Sequence, residues 1–327
     1  MENKIHIGYF DFWRGIAIVM VVAIHTANGL DFTSIFGNIR IVLRFLMNSA
    51  VPVFLALSSF FLSKKDLTQQ DDCLKFWKIQ IPKVYIPMLI WSIPVFFTSL
   101  LFDNASLTKS FLKLLFGGYD VFYFIILIIQ CYVLLPLILV HKRFSLYISF
   151  LLIVLSWWAI IYKFPSLPLL LYAGPFTSWI FYFVLGVIIS RTTKKNYPII
   201  FPILLIGIGL ILQYLESKYL YNLDHIVWGQ KLTSIVSNSG IILLMLANKT
   251  RFYYKTNIIG KIFEFLGRHS FGIYLIHCYF IKIYSYVLSV NIWSIKCLCV
   301  LGSTLIFIFI IRNILPKYIG VKLFGLR

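Results

Sequence analysis

The sequence has 327 residues, of which 60% are hydrophobic and only 13% are charged. Soluble domains carry about 25% charged residues, so this composition excludes an ordinary soluble enzyme. Apolar runs near twenty residues recur along the whole chain, and about 20 apolar residues are what a helix needs to cross the hydrocarbon core of a bilayer. The composition therefore predicts an all-α, polytopic integral membrane protein with a single membrane-embedded domain over residues 1–327.

The formal charge of +19 does not indicate nucleic-acid binding. Lys and Arg lie in short clusters between apolar runs, as the positive-inside rule describes, and no basic stripe is interleaved with base-stacking aromatics. The five cysteines form no Cys-x-x-Cys pair and the histidines lack ligand-spaced companions, so no metal is expected. The first apolar run contains Arg14 and His25 and lacks a small-residue cleavage site, so we expect no cleavable signal peptide.

Ten transmembrane helices are predicted, since a lone strand cannot satisfy its backbone hydrogen bonds in lipid. The fifth is short. Proline residues within or near the spans, at Pro52, Pro87, Pro94 and Pro136, predict kinks. In chain order the spans cover about residues 8–28, 39–62, 81–102, 121–140, 146–162, 174–190, 198–214, 231–247, 266–288 and 294–314.

The distribution of Lys and Arg predicts the orientation. If the N-terminus is cytoplasmic, the outer side receives seven of these residues: Arg40, Lys109, Lys113, Lys163, Lys218, Lys231 and Lys296. The cytoplasmic side then receives eighteen: Lys4, Lys64, Lys65, Lys75, Lys78, Lys142, Arg143, Arg191, Lys194, Lys195, Lys249, Arg251, Lys255, Lys261, Arg312, Lys317, Lys322 and Arg327. This excess favours a cytoplasmic position for both termini.

Two ionisable residues in the first span are candidates for function, because intramembrane charges are costly and usually functional. Arg14 and His25 are eleven residues apart, which places them about 20° out of phase and roughly 16 Å apart along one helix face. Asp11 lies one turn before Arg14 and can pair with it. The alternative is a snorkelling Arg and a His that only bonds a neighbouring helix.

Two further places carry polar side chains at helical spacing. In the ninth span, which includes Arg268, the residues Ser270, Tyr274 and His277 share one face. They suit either a functional site or a helix-packing patch. Lys78 and Lys83 lie where the third span opens, a place where lysines are either markers of topology or ligands for the phosphates of a cytosolic cofactor.

These places together resemble the acyltransferase-3 family of bacterial membrane O-acyltransferases. The run from Phe10 to Ala17, followed by His25, matches the family's opening motif, and residues 51–60 resemble its Phe-x-x-Leu-Ser-Gly run with Ser59 in place of Gly. The late Ser-x-x-x-Tyr-x-x-His signature matches residues 270–277. Residues 121–124 read Val-Phe-Tyr-Phe where many members carry His-x-Trp-Phe, so no His role is expected in the fourth span.

The resemblance implies an enzyme of the bacterial inner membrane. This enzyme would transfer an acyl group, usually acetyl, from cytosolic acetyl-CoA to a hydroxyl of a cell-surface polysaccharide or of its lipid-linked precursor. Direct transfer is expected, since no Ser-His-Asp or Cys-His set is apparent. The alternative is an exporter or flippase of a glycan or lipid-linked sugar, although the internal repeats typical of transporters are not seen. The implied residues are His25, His277 and Tyr274 for catalysis, Arg14, Lys78, Lys83 and Arg268 for the donor, and Asp11, Ser58 and Ser270 in support.

Overall fold

The computed structural model describes residues 2–27, 32–102, 106–119, 121–164, 167–192, 197–223, 230–247, 258–287 and 292–326. Six of the basic residues counted for orientation lie outside these ranges: Lys194, Lys195, Lys249, Arg251, Lys255 and Arg327. Within the described ranges every regular element is a helix and no strand occurs. The predicted all-α polytopic membrane fold is therefore confirmed.

The α-helices are, in chain order, α1 Glu2–Thr26, α2 Ile35–Met47, α3 Ala50–Leu62, α4 Gln70–Phe102, α5 Leu107–Leu115, α6 Tyr123–Val140, α7 Lys142–Trp158, α8 Leu169–Ala173, α9 Ile180–Arg191, α10 Ile200–Tyr221, α11 Ser234–Leu246, α12 Ile258–Arg268, α13 Ser270–Val287, α14 Trp293–Ile314 and α15 Lys317–Lys322. A π-helical turn, Ala159–Lys163, extends α7, and a 3₁₀ turn, Phe176–Ser178, precedes α9.

Among the described residues, seven segments are long and apolar enough to cross a membrane: Gly8–Thr26, Ile35–Leu62, Gln70–Phe102, Tyr123–Val140, Lys142–Lys163, Ile200–Tyr221 and Trp293–Ile314. The other three predicted spans correspond to α9, α11 and α13. The first two have only 12 and 13 residues. Such helices are about 20 Å long, which is less than the roughly 30 Å of a hydrocarbon core. The count of ten spans stays a prediction.

Two predicted spans differ in length from the helices that form. The fifth is not short, because the helix begins at Lys142 and continues through the π turn to Lys163, 22 residues in all. The third begins at Gln70, eleven residues before its apolar run. Lys78 and Lys83 therefore both lie on α4. Its 33 residues make a helix about 50 Å long, so α4 must tilt in a bilayer or project beyond it.

One proline of the predicted spans coincides with a helix break, whereas the others lie within continuous helices. Helix α2 ends at Met47 and α3 begins at Ala50, so the second span is broken just before Pro52, as predicted. A proline nitrogen has no hydrogen to donate to the carbonyl four residues earlier, which favours a break there. Helices α4 and α6 continue through their prolines, so the kinks predicted at Pro87, Pro94 and Pro136 stay predictions.

The chain forms two compact units, and each is built from separate stretches of sequence. The first comprises Met1–Lys65, Leu137–Pro168 and Thr177–Gly267. Its helices pack closely through small residues, as membrane helices do. A β-carbon added to Gly186 of α9 would lie 2.4 Å from the Ala56 carbonyl oxygen of α3, so only glycine allows this approach.

The second unit comprises Asp66–Pro136, Leu169–Phe176 and Arg268–Arg327, and α13 packs there against α4 and α14. Hydrogen bonds from indole and phenol groups link the helices of this unit. The Trp91 indole donates a 3.1 Å hydrogen bond to the Phe324 carbonyl, and the Tyr279 hydroxyl donates to the Trp91 carbonyl. Large apolar side chains such as Leu298 and Ile306 are exposed on α14, as a lipid-facing helix requires.

Candidate active site

The first candidate group lies in the N-terminal half of α1. The Arg14 Nη1 atom donates a 2.7 Å hydrogen bond to the Asp11 carboxylate, so the predicted pair forms. The Asp11 side chain is 9% exposed and that of Arg14 is 33% exposed, so the carboxylate is enclosed while the guanidinium stays accessible. Asp11 takes one of five guanidinium N–H donors in the described contacts. The others suit a phosphate or an amide carbonyl.

An aromatic surface from α3 supports this guanidinium. The Arg14 Cζ atom lies 5.3 Å from the centre of the Phe61 ring, within the range of a cation–π contact. Phe10 packs against Phe60 and Phe61, with ring centres 5.4 Å and 4.8 Å apart. Phe61 has no part in the sequence prediction, because an apolar residue in an apolar run gives no signal of its own.

Two glycines bring α12 against α1 beside Arg14. A β-carbon on Gly15 would lie 1.9 Å from the Phe263 carbonyl oxygen, and one on Gly267 would lie 1.7 Å from the Asp11 carbonyl oxygen. Neither position has room for any side chain. The glycine that follows Arg14 in the opening motif is therefore required by helix packing. The sequence analysis does not identify Gly267. Its position just before the candidate residue Arg268 is the one signal that the sequence offers for it.

His25 lies at the other end of α1, and its side chain is exposed. The next residue, Thr26, is buried and its hydroxyl donates to the carbonyls of Val22 and Ala23, which holds the last turn closed. The eleven residues from Arg14 correspond to roughly 16 Å of continuous helix. The continuous helix thus fixes the distance between the imidazole and the guanidinium along the axis of α1.

Ser58 and Ser59 lie on α3, where the family motif has Ser-Gly. Ser58 is half-buried, whereas Ser59 is fully buried and its hydroxyl donates to the Ala56 carbonyl. A β-carbon on Gly186 would lie 2.1 Å from the Ser59 hydroxyl oxygen. The small residue needed at this helix crossing is thus supplied by the facing helix α9, which explains how Ser59 is accommodated.

The second candidate group lies on α13 in the other unit. Ser270, Tyr274 and His277 are all buried, so their predicted common face points into the protein. The Tyr274 hydroxyl donates to the Val121 carbonyl, and its ring packs edge-on against Phe124 at 5.6 Å. Tyr274 of the late signature therefore contacts residues 121–124, the segment in which this sequence lacks the family's usual His.

The imidazole of His277 is fully buried. Its Nδ1 atom is 2.7 Å from the Tyr274 carbonyl and 3.1 Å from the Ile273 carbonyl, so Nδ1 carries the proton. The Nε2 atom is then the acceptor, and the Cys278 sulfur lies 3.6 Å from it. A Cys–His contact thus exists that the sequence did not indicate, because adjacent helical residues are not expected to face each other.

The remaining donor candidates are exposed cations of the second unit. Lys78 and Lys83 lie on α4, and Arg268 is the last residue of α12. The structure therefore brings Asp11 to Arg14, and brings Ser270, Tyr274 and His277 onto one face. The first unit holds Asp11, Arg14, His25 and Ser58, and the second holds Lys78, Lys83, Arg268, Ser270, Tyr274 and His277.

Comparison with known proteins identifies the family to which the chain is similar. A family model described as an acyltransferase domain, the acyltransferase-3 model, matches residues 7–313. The match includes both candidate groups and runs from α1 to α14. No curated protein and no solved structure matches the chain.

Proposed function

This chain belongs to the acyltransferase-3 family and is a multi-pass membrane acyltransferase, and we propose that it transfers an acetyl group from cytosolic acetyl-CoA to a hydroxyl of a cell-surface polysaccharide or of its lipid-linked precursor. The observation that carries this proposal is the arrangement of Arg14 and His25 on one helix. A fixed cation and a titratable base are separated by roughly 16 Å along α1. That separation suits a donor and an acceptor that arrive from opposite sides of a membrane.

The donor site lies at Arg14, in the middle of α1. The guanidinium is fixed by Asp11 and by the Phe61 ring, and it keeps N–H donors for a phosphate or for the amides of the pantetheine arm. The resemblance also assigns the exposed cations Lys78, Lys83 and Arg268 to the coenzyme phosphates, and this assignment stays a prediction. This assignment places the donor on the cytoplasmic side, as the distribution of Lys and Arg favours.

The chemical step is attack of the acceptor hydroxyl on the thioester. The neutral imidazole of His25 takes the hydroxyl proton as the oxygen bonds to the carbonyl carbon. The carbon–sulfur bond then breaks, and the coenzyme leaves as a thiol after it receives the proton from the imidazolium. The resemblance also assigns Tyr274 and His277 to orienting the acceptor or stabilising the oxyanion, and these roles stay predictions.

The proposal is tested in inverted membrane vesicles from a strain that produces the protein, with acetyl-CoA labelled with ¹⁴C in the acetyl group. Label should enter the polysaccharide and glycolipid fraction, and alkaline hydrolysis, which cleaves esters, should release it as acetate. Vesicles from the same strain without the protein are the control. If wild-type vesicles transfer no more label than the control, the proposal is wrong and glycan export becomes the better hypothesis.

A further inference from the structure

The break between α2 and α3 creates a polar junction inside the first unit. Because Pro52 has no N–H, the Asn48 carbonyl four residues earlier loses its usual helical donor. The Gln230 amide takes that place and donates to the Asn48 carbonyl at 2.5 Å. Side chains of neighbouring segments commonly satisfy backbone groups that proline frees within a membrane.

The junction continues into a buried network of amides and hydroxyls. The Asn238 amide nitrogen lies 3.2 Å from the Gln230 side-chain oxygen and 2.9 Å from the Tyr182 hydroxyl oxygen. The Glu216 carboxylate accepts backbone N–H bonds of 3.1 Å and 2.9 Å from Leu232 and Thr233, just before α11 begins. The segment 230–233 is thus clamped between α10 and the α2–α3 junction.

Two buried hydroxyls next in sequence to residues of this network, those of Ser49 and Ser217, have no hydrogen-bond partner in the described part of the chain. Each is fully buried, one adjacent to Asn48 and the other adjacent to Glu216. Ser49 precedes α3 as its N-cap, but the third helical residue is Pro52, which offers no N–H to accept. Buried hydroxyls elsewhere donate to a carbonyl of their own helix: Ser59, Ser63, Ser92, Ser149 and Thr304.

The antiparallel packing of α1 and α3 gives the position of this junction along the axis of α1. Phe10 contacts Phe60 and Phe61, and from there α1 rises about 22 Å to His25. The eleven residues from Phe60 back to Ser49 correspond to about 16 Å along the same direction. Ser49 therefore lies within about one helical turn of the level of His25.

We infer that the α2–α3 junction is the acceptor subsite, where the Ser49 hydroxyl binds a hydroxyl group of a sugar unit of the acceptor. This inference rests on the proposed function and names the part of the protein that selects the acceptor. Sugar hydroxyls both donate and accept hydrogen bonds, and so do serine hydroxyls and primary amides. An unpaired buried hydroxyl is costly to the folded protein, and a bound sugar hydroxyl would satisfy it.

The test compares Ser49→Ala and Ser217→Ala with Ser59→Ala, whose hydroxyl is equally buried but already bonded. Inverted vesicles receive ¹⁴C-acetyl-CoA, and transfer is also measured with purified protein while the extracted glycolipid fraction is titrated. We expect Ser49→Ala to lower transfer about tenfold or more, because a buried polar group pairs with the acceptor. The apparent Michaelis constant for the glycolipid fraction should rise, and acetyl-CoA affinity should stay unchanged.

Thermal stability separates this role from a structural one. Removing an unpaired hydroxyl should leave the melting temperature of Ser49→Ala unchanged or higher, whereas a structural serine would lower it. The inference is overturned if both Ser49→Ala and Ser217→Ala transfer label at the rate of Ser59→Ala, or if acetyl-CoA affinity falls with transfer. Absence of transfer by the wild-type protein would instead overturn the proposed function itself.

Discussion

The backbone of Gly267 lies against Asp11 so closely that a β-carbon on this glycine would stand 1.7 Å from the Asp11 carbonyl oxygen. We expect Gly267→Ala to force α12 away from α1 and to destabilise the protein by about 1–3 kcal/mol, as overpacking does. Acetyl-CoA affinity should fall as well, because Asp11 holds Arg14. Thermal unfolding in detergent and binding of labelled acetyl-CoA measure both effects.

Gly207 provides the matched control for that variant, because a β-carbon there would have no neighbour within 4 Å. Gly207→Ala lies within α10 and should be neutral or slightly stabilising, since alanine favours helix more than glycine. Equal melting temperatures for Gly267→Ala and Gly207→Ala would contradict the close approach of α12 to α1.

Removing the Arg14 guanidinium should weaken the binding of acetyl-CoA. Hydrogen bonds to charged groups are worth about 1.5–3 kcal/mol, so Arg14→Ala should lower affinity roughly 10- to 100-fold. Lys78→Ala and Lys83→Ala should do less, because exposed ammonium groups are screened by salt. Equilibrium binding of labelled acetyl-CoA to the purified variants measures this. Unchanged affinity in folded Arg14→Ala protein would remove Arg14 from the donor site.

Sequence alone predicts the features that depend on neighbours along one helix. The Asp11–Arg14 pair follows from a spacing of three residues, and the break before Pro52 follows from the missing N–H. It cannot predict the Gln230 amide on the Asn48 carbonyl, which lies 182 residues away. Nor can it place Gly186 opposite Ser59, because a helix crossing is specified jointly by two distant segments.

Reporter fusions test the predicted topology. Fusions after Arg327 and within residues 64–78 should report the cytoplasm, and a fusion within residues 215–230 should report the outside, because the cytoplasmic loops carry the excess of Lys and Arg. An external C-terminus would contradict the model of ten spans. The short helices α9 and α11 would then be the first segments to re-examine, since each is only about 20 Å long.

The contact between Cys278 and His277 permits a direct test for a covalent intermediate. If the acetyl group passes directly to the acceptor, Cys278→Ala should transfer at close to the wild-type rate, since no bond to sulfur forms. A thiolate nucleophile paired with a base would instead be essential. Transfer rates and mass spectrometry of protein trapped with acetyl-CoA distinguish the two. Loss of transfer together with an acetylated Cys278 in the wild type would contradict direct transfer.

The last prediction concerns His25, the exposed imidazole at the end of α1. An alanine there cannot accept a proton, so His25→Ala should lower the rate of acetyl transfer by about two to four orders of magnitude. Acetyl-CoA affinity should survive, because the imidazole lies roughly 16 Å along the helix from Arg14. The melting temperature should change little, since the side chain is exposed.

His277→Ala is the informative comparison, because that imidazole is fully buried and its Nδ1 atom bonds the carbonyls of its own helix. Its loss should lower the melting temperature along with activity, whereas a catalytic His25 should cost activity alone. Transfer rate, acetyl-CoA affinity and melting temperature are therefore measured on both variants. Near wild-type transfer by folded His25→Ala protein would exclude His25 as the base. His277, whose Nε2 atom is an acceptor, would then be the next residue to test.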